Sequence, residues 1–294
     1  MKIFSPAKIN LFLHVRSKRK DGYHEIETLF ERIRLCDTVT LGLRASGIRV
    51  HCSGYSAPSG PKNLAYRAAA LLKKDFGITR GVEISIQKRI PVSAGLGGGS
   101  GNAAAVLLGL NRLWKLRLSK KTLLGLAARL GSDVPFFVLE TPFAVGRGRG
   151  EILRKVRMPR GFKLWHCLVK PPFGISTKEA YAGLDRLAPS TRSAHHLTPQ
   201  KTDVRMLLRS IQKGDSDRLA KCLVNSLEAS VNSRVRTIQG IKEELLRYGS
   251  CGSLMSGSGS AVFGVFKSKK KAEEAARVLK RRRGGFQVFV VSTL

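Results

Sequence analysis

A chain of 294 residues with 43% hydrophobic and 25% charged residues can bury a sizeable core, and its composition excludes disordered, collagenous and membrane-embedded classes. Its 53 lysines and arginines against 20 acidic residues leave a net charge of +33. Such a field draws polyanions and phosphorylated metabolites and says little about fold, so nucleic-acid binding stands as a rival reading.

The first element, "SPAKINLFLHV", alternates and reads as a strand with Ala7, Ile9, Leu11, Leu13 and Val15 on one face and Lys8, Asn10, Phe12 and His14 on the other. A basic turn follows, then strands over Ile26 to Leu43 and Gly47 to Cys52. Asn63 caps a helix that Gly77 stops, and "VEISIQKRI" is a strand running into a glycine loop. Two helices come next, Asn102 to Trp114 and, behind a Ser119 cap, Lys120 to Leu130.

The second half mixes the same elements without a repeat. A strand is expected at Lys163 to Lys170, and helices near Lys178 to Leu184, Val204 to Gln212, Ser216 to Ser226 and Val235 to Tyr248. "CGSLMSGSGSAVFGVF" is strand, glycine turn, strand; a basic helix from Lys269 to Arg283 and a last strand close the chain. Irregular interleaving of helices and strands favours an α+β class. The Pro- and Arg-rich stretch from Glu151 to Arg160 is the expected join of two domains, 1–155 and 156–294, and Ala188 to Thr202 the expected mobile loop. Five scattered cysteines, never spaced C-x-x-C, argue against a zinc ribbon or disulfide framework and suit a reducing cytoplasm. No apolar run reaches the roughly 18 residues that span a bilayer, and no signal or transit segment is evident, so a soluble, unprocessed protein is expected.

Several residues could carry chemistry. The loop Pro91, Val92, Ser93, Ala94, Gly95, Leu96, Gly97, Gly98, Gly99, Ser100, Gly101 joins a strand to a helix and presents main-chain amides at the positive end of a helix dipole. Phosphate is its natural occupant, although the spacing is neither a Walker A loop nor a clean G-x-G-x-x-G, and close helix packing would also use glycines. Ser256, Gly257, Ser258, Gly259 and Ser260 form a second glycine cluster, a hairpin turn on its own or a partner to the first loop. Lys8 sits in an apolar strand, where its ammonium must meet an anion or snorkel to solvent. Asp133, two residues before Pro135, is either a helix cap or a reactive carboxylate. Tyr23 and His24 lie in or just after a polar turn, and His195 and His196 lack a third spaced ligand for a metal.

In their order along the chain, "SPAKINLFLHV", "DGYHEIETLF", "PVSAGLGGGSGNAAAVL", "GSDVPFF" and "MSGSGSAVF" resemble the GHMP small-molecule kinase family over Ser5 to about Phe266. The first two resemble the branch whose acceptor is CDP-methylerythritol. The resemblance implies a two-domain α+β fold with the active site in the cleft between the halves. It also implies ATP-dependent phosphorylation of the acceptor's 2-hydroxyl in isoprenoid-precursor synthesis, with Mg2+. It assigns Asp133 and Lys8 to catalysis, and Pro91 to Gly101 to the ATP phosphates. Asn10, Tyr23, His24, Tyr181 and Ser256 to Gly259 fall to the substrate, with the aromatic residues about the cytidine base. The family loop commonly reads Gly-Gly-Gly-Ser-Ser, whereas Gly101 stands at the last place here. A small-molecule partner in the cytoplasm follows, with no specific nucleic acid and no membrane. Another GHMP alcohol kinase, or a basic nucleic-acid-binding protein, are the alternatives.

Overall fold

The computed structural model describes residues 1–187, 203–231 and 234–294. The loop expected over 188–202 and the pair His195 and His196 lie outside the described residues. The chain groups into two compact units, neither of them continuous in sequence.

The first unit holds Met1–Lys8, Arg34–Val92 and Gly97–Thr141. Its sheet pairs β3 (Ile48–Gly54) parallel with β4 (Gly81–Lys88), and β4 antiparallel with the C-terminal half of β2 (His24–Arg44) from Thr38↔Gln87 to Arg44↔Gly81. The start of β1 (Lys2–Lys18) joins through Met1, whose carbonyl accepts from the Leu41 amide at 2.8 Å. Four helices belong to this unit: α1 (Leu64–Asp75), α2 (Gly98–Leu113), α3 (Lys120–Leu130) and α4 (Val134–Leu139). Asn63 and Ser119 cap α1 and α3 by accepting from the amides of Ala65 and Thr122, as the sequence signals require. Helix α2 lies close on the sheet because Gly109 has no side chain; a Cβ there would come within 2.4 Å of Leu41 and 2.5 Å of Ile3.

The second unit holds Ile9–Ile33, Ser93–Leu96 and Pro142–Leu294. Here the first half of β2 pairs antiparallel with β5 (Phe143–Arg147), β5 with β6 (Ile152–Lys155), and β1 parallel with β8 (Val224–Asn225) at Phe12↔Val224. A separate antiparallel sheet has the order β11-β7-β10-β9, built from β7 (Trp165–Lys170), β9 (Gly252–Met255), β10 (Val262–Phe266) and β11 (Gln287–Ser292). Its core includes Cys167, Val169, Val262 and Phe266. The same core takes residues from α5 (Thr177–Leu187), α8 (Val235–Arg247) and α9 (Lys269–Arg282). Helices α6 (Val204–Gln212) and α7 (Ser216–Lys221) complete the unit.

Both faces of β1 are buried from Ser5 through Leu13, Lys8 and Asn10 included. Helix α2 begins at Gly98 rather than Asn102, because Gly97 adopts a left-handed conformation (φ 67°) that lets the glycines form the first turn. The helix expected over Ser216 to Ser226 ends at Lys221, since Val224 and Asn225 leave it to pair with β1. The two units interleave in sequence: β1 and β2 each contribute to both, and β6 pairs with β5 inside the second. No helix among the described residues is long and apolar enough to cross a membrane.

Candidate active site

Lys8 and Asp133 come together in the first unit. The Lys8 Nζ lies 3.3 Å from the Asp133 Oδ2, with the lysine side chain 5% and the aspartate 32% exposed. Lys8 does not snorkel to solvent, and Asp133, although at the N-cap position of α4, makes no side-chain capping bond. Its carboxylate is turned to the lysine and to solvent instead.

The glycine loop runs beside this pair. A Cβ on Gly97 would meet the Lys8 Cγ at 3.0 Å and the Phe137 ring at 3.1 Å, so the main chain passes directly over the lysine stem. Gly97 carries no capping side chain, and the first main-chain bond of α2 runs from the Gly101 amide to the Gly97 carbonyl at 2.9 Å. The amides of Gly98, Gly99 and Ser100 precede that bond. Gly99 is exposed and Gly98 and Ser100 are half-buried, so the positive end of the helix opens to solvent. Gly101 fits where the family carries serine because a Cβ there would meet Ser5 Oγ at 2.8 Å and the Pro6 carbonyl at 2.9 Å.

The second glycine cluster is a hairpin loop between β9 and β10, and it also touches the first loop within the second unit. The Ser256 hydroxyl donates to the Gly95 carbonyl at 3.0 Å, and the Ala261 amide donates to the Ala94 carbonyl at 3.2 Å. A Cβ on Gly95 would fall 1.9 Å from the Ser256 carbonyl. The Ser260 hydroxyl is spent on the Phe173 carbonyl, which leaves Ser258 as the half-buried hydroxyl of the loop, 3.2 Å from the Thr177 Oγ1. Sequence reasoning missed what holds this loop in place. Asn225 donates through its amide nitrogen to the carbonyls of Met255 and Gly257, each at 2.8 Å, and accepts from the Leu227 amide at 2.9 Å. Glu228 accepts from the Met255 amide at 2.7 Å. The helix expected over Ser216 to Ser226 hid Asn225, and Glu228 lies just beyond it; the β-branched Val224 was the one local signal against helix there.

Tyr23, His24 and Tyr181 all lie in the second unit. His24 stacks on Tyr181 with ring centroids 4.9 Å apart and planes at 28°, so the two rings touch one another. The His24 Nε2 sits 2.7 Å from the Asp185 Oδ1, and Lys18 Nζ 2.7 Å from the other oxygen. Burial alone would raise the Asp185 pKa, but the hydrogen bonds and charges of Lys18 and His24 outweigh it and hold the carboxyl below its ordinary value. Tyr23 is 53% exposed and carries the Arg149 guanidinium 4.7 Å over its ring. Asn10 is buried, donating to the Thr28 hydroxyl at 2.8 Å.

The N-terminal domain of the GHMP kinases matches residues 63–141 and the GHMP kinase C-terminal domain residues 207–284. A 4-diphosphocytidyl-2-C-methyl-D-erythritol kinase of Alkaliphilus metalliredigens is 42% identical, over 92% of this chain and 89% of its own. Another of that name, from Pelotomaculum thermopropionicum, is 42% identical over 98% of this chain and 96% of its own. A crystal structure of 4-(cytidine 5'-diphospho)-2C-methyl-D-erythritol kinase superposes with a TM-score of 0.80 at 35% identity, covering 99% of both chains. These relatives do not favour the nucleic-acid reading of the charge. The chain belongs to the GHMP kinase family, in the branch of the 4-diphosphocytidyl-2-C-methyl-D-erythritol kinases.

Proposed function

We propose that this protein transfers the γ-phosphoryl group of ATP to the 2-hydroxyl of 4-diphosphocytidyl-2-C-methyl-D-erythritol, in the cytoplasm and as a step of non-mevalonate isoprenoid synthesis. The observation that carries the reading is the Lys8–Asp133 pair lying under a glycine loop whose first helical amides face solvent. The names of the relatives supply the acceptor.

Phosphoryl transfer asks a protein for alignment and for donors around spread charge more than for covalent chemistry. The amides of Gly98, Gly99 and Ser100 are such donors, fixed in place before the reaction. Asp133, partly exposed at its side chain, takes the acceptor's hydroxyl proton as the alcohol oxygen bonds to phosphorus and the bond to the bridging oxygen of ADP breaks. Lys8, being buried and held by that carboxylate, fixes its direction and offsets its charge as phosphate approaches. Tyr23, His24 and Tyr181 offer aromatic faces to the cytidine base. Because His24 and Tyr181 already touch, the base stacks on an outer face of that pair or parts it.

The described residues contain no group of three or more His, Cys, Asp or Glu able to hold a metal unaided. That suits Mg2+ arriving on nucleotide phosphates, which needs one or two protein ligands. Ser100, in the first turn of α2, is the hydroxyl that would contact it, and the ion would offset charge on the phosphate oxygens. Phosphorus NMR of the product mixture tests the reading. A new phosphomonoester on the erythritol 2-oxygen, formed one for one with ADP, is expected; ATP left intact beside the acceptor would refute it.

A further inference from the structure

Asp37 is a wholly buried carboxylate at a break in the sheet. The β2–β4 ladder is paired up to Thr38↔Gln87; Asp37 is the next residue of β2 and Lys88 the last of β4. Where β4 leaves the sheet, the carboxylate takes over from the ladder. Its Oδ1 accepts from the amides of Arg89 at 2.7 Å and Ile90 at 2.8 Å, and its Oδ2 pairs with the Lys88 ammonium. Three donors on three successive residues thus converge on one side chain, immediately before Pro91.

Those residues wall the start of α2. A Cβ on Gly98 would come within 3.0 Å of the Ile90 side chain and 3.2 Å of the Lys88 Nζ. Lys88 is 4% exposed at its side chain, so its ammonium is matched by the Asp37 carboxylate rather than by solvent. A buried ion pair is a poor source of stability compared with apolar packing, since desolvation consumes most of the attraction. Its location, with the ammonium against the first residue of the helix, calls for a different reason.

We propose that Asp37 is a positioning residue for the phosphate loop: it fixes the main chain of Arg89 and Ile90 and aims the Lys88 ammonium at Gly98, where nucleotide phosphate binds. This rests on the reading that the loop holds the phosphates of ATP. Asp37 touches no substrate; it acts through Lys88 and the loop backbone.

The test is steady-state kinetics and thermal unfolding of the full chain as wild type, Asp37→Asn, Lys88→Met and the double variant. Asp37→Asn keeps one oxygen for the two amides but leaves the ammonium without its charge partner. It is expected to raise the ATP KM about ten-fold, the scale of one charged hydrogen bond, with the acceptor KM within about two-fold. Either single variant lowers Tm, whereas the double variant, lacking both charges, recovers Tm but keeps the raised ATP KM. An ion pair with no part in ATP binding would have its ATP KM restored along with Tm, and that result overturns the proposal, as does an ATP KM unmoved in Asp37→Asn. If that variant fails to fold, Asp37→Glu, which keeps the charge but displaces it, decides: an ATP KM like the wild type's overturns the proposal. Wild-type protein that binds no ATP in calorimetry would sink the nucleotide reading and this proposal with it; ATP binding indifferent to Asp37 would sink this proposal alone.

Discussion

Lys8 is buried and Asp133 is one-third open, and the two charged groups stand 3.3 Å apart. A buried ammonium without a partner costs several kcal/mol, so the pair fixes the lysine while one side of the carboxylate stays accessible. Asp133→Asn is therefore expected to lower kcat by about 10²–10⁴-fold, the usual worth of a general base. ATP binding, followed by calorimetry, stays within about three-fold, because the loop amides are untouched. Lys8→Met lowers kcat in the same direction, and the double variant is no slower than the worse single, since the two act as a unit. Near-normal turnover in Asp133→Asn would remove the carboxylate from the chemistry.

Asn225 spans three main-chain groups, two carbonyls and an amide. Asn225→Ala strands them, at about 1–3 kcal/mol for each buried group left unpaired. Asn225→Asp is expected to be worse, because a carboxylate then faces the carbonyl oxygens of Met255 and Gly257. Urea unfolding of both variants checks the order; an aspartate variant at least as stable as the alanine variant contradicts it.

The ring pair of His24 and Tyr181 gives a prediction about selectivity. Aromatic stacking on a base is worth about 1–3 kcal/mol, so Tyr181→Ala should raise the KM for a cytidine-bearing acceptor by about 5–150-fold, leaving the ATP KM nearly as it was. If initial-rate kinetics show both constants unmoved, the base is bound elsewhere.

Asp185 supplies a pH dependence. Its pKa in the folded chain is lowered below the ordinary 3.8, because Lys18 and His24 outweigh the opposing effect of burial. A group depressed in this way stabilises the fold above its unfolded pKa and loses that contribution as pH falls through the folded value. The Tm gap between wild type and Asp185→Asn should be open at about pH 5 and close as pH drops below about 4. A gap that widens on acidification would show that the carboxylate's partners do not govern it.

What was legible in sequence is what local chemistry decides. Ser119 and Asn63 announce α3 and α1 because capping involves amides two or three residues away. The span of α6 follows from its own periodicity. Strand β8 was not legible, since two residues hold it only by pairing with Phe12 and Leu13, over two hundred positions earlier. Helix α4 was missed because six apolar residues around a proline carry no readable period. At the site, Lys8 drew attention as a charge in an apolar strand, and the fold gives it a carboxylate partner. Asp37 in "RLCDTVTLGL" carries the same kind of signal, but its partners at Lys88 to Ile90 are set by sheet register, which one sequence does not reveal.

The most direct measurement is a coupled ADP-release assay of the purified protein with magnesium-ATP, run in parallel on 4-diphosphocytidyl-2-C-methyl-D-erythritol, homoserine and mevalonate. Steady ADP release with the cytidine-bearing alcohol alone, lost in Asp133→Asn, is the predicted result. Release with another of these alcohols and none with the first, or release indifferent to Asp133, would contradict the account.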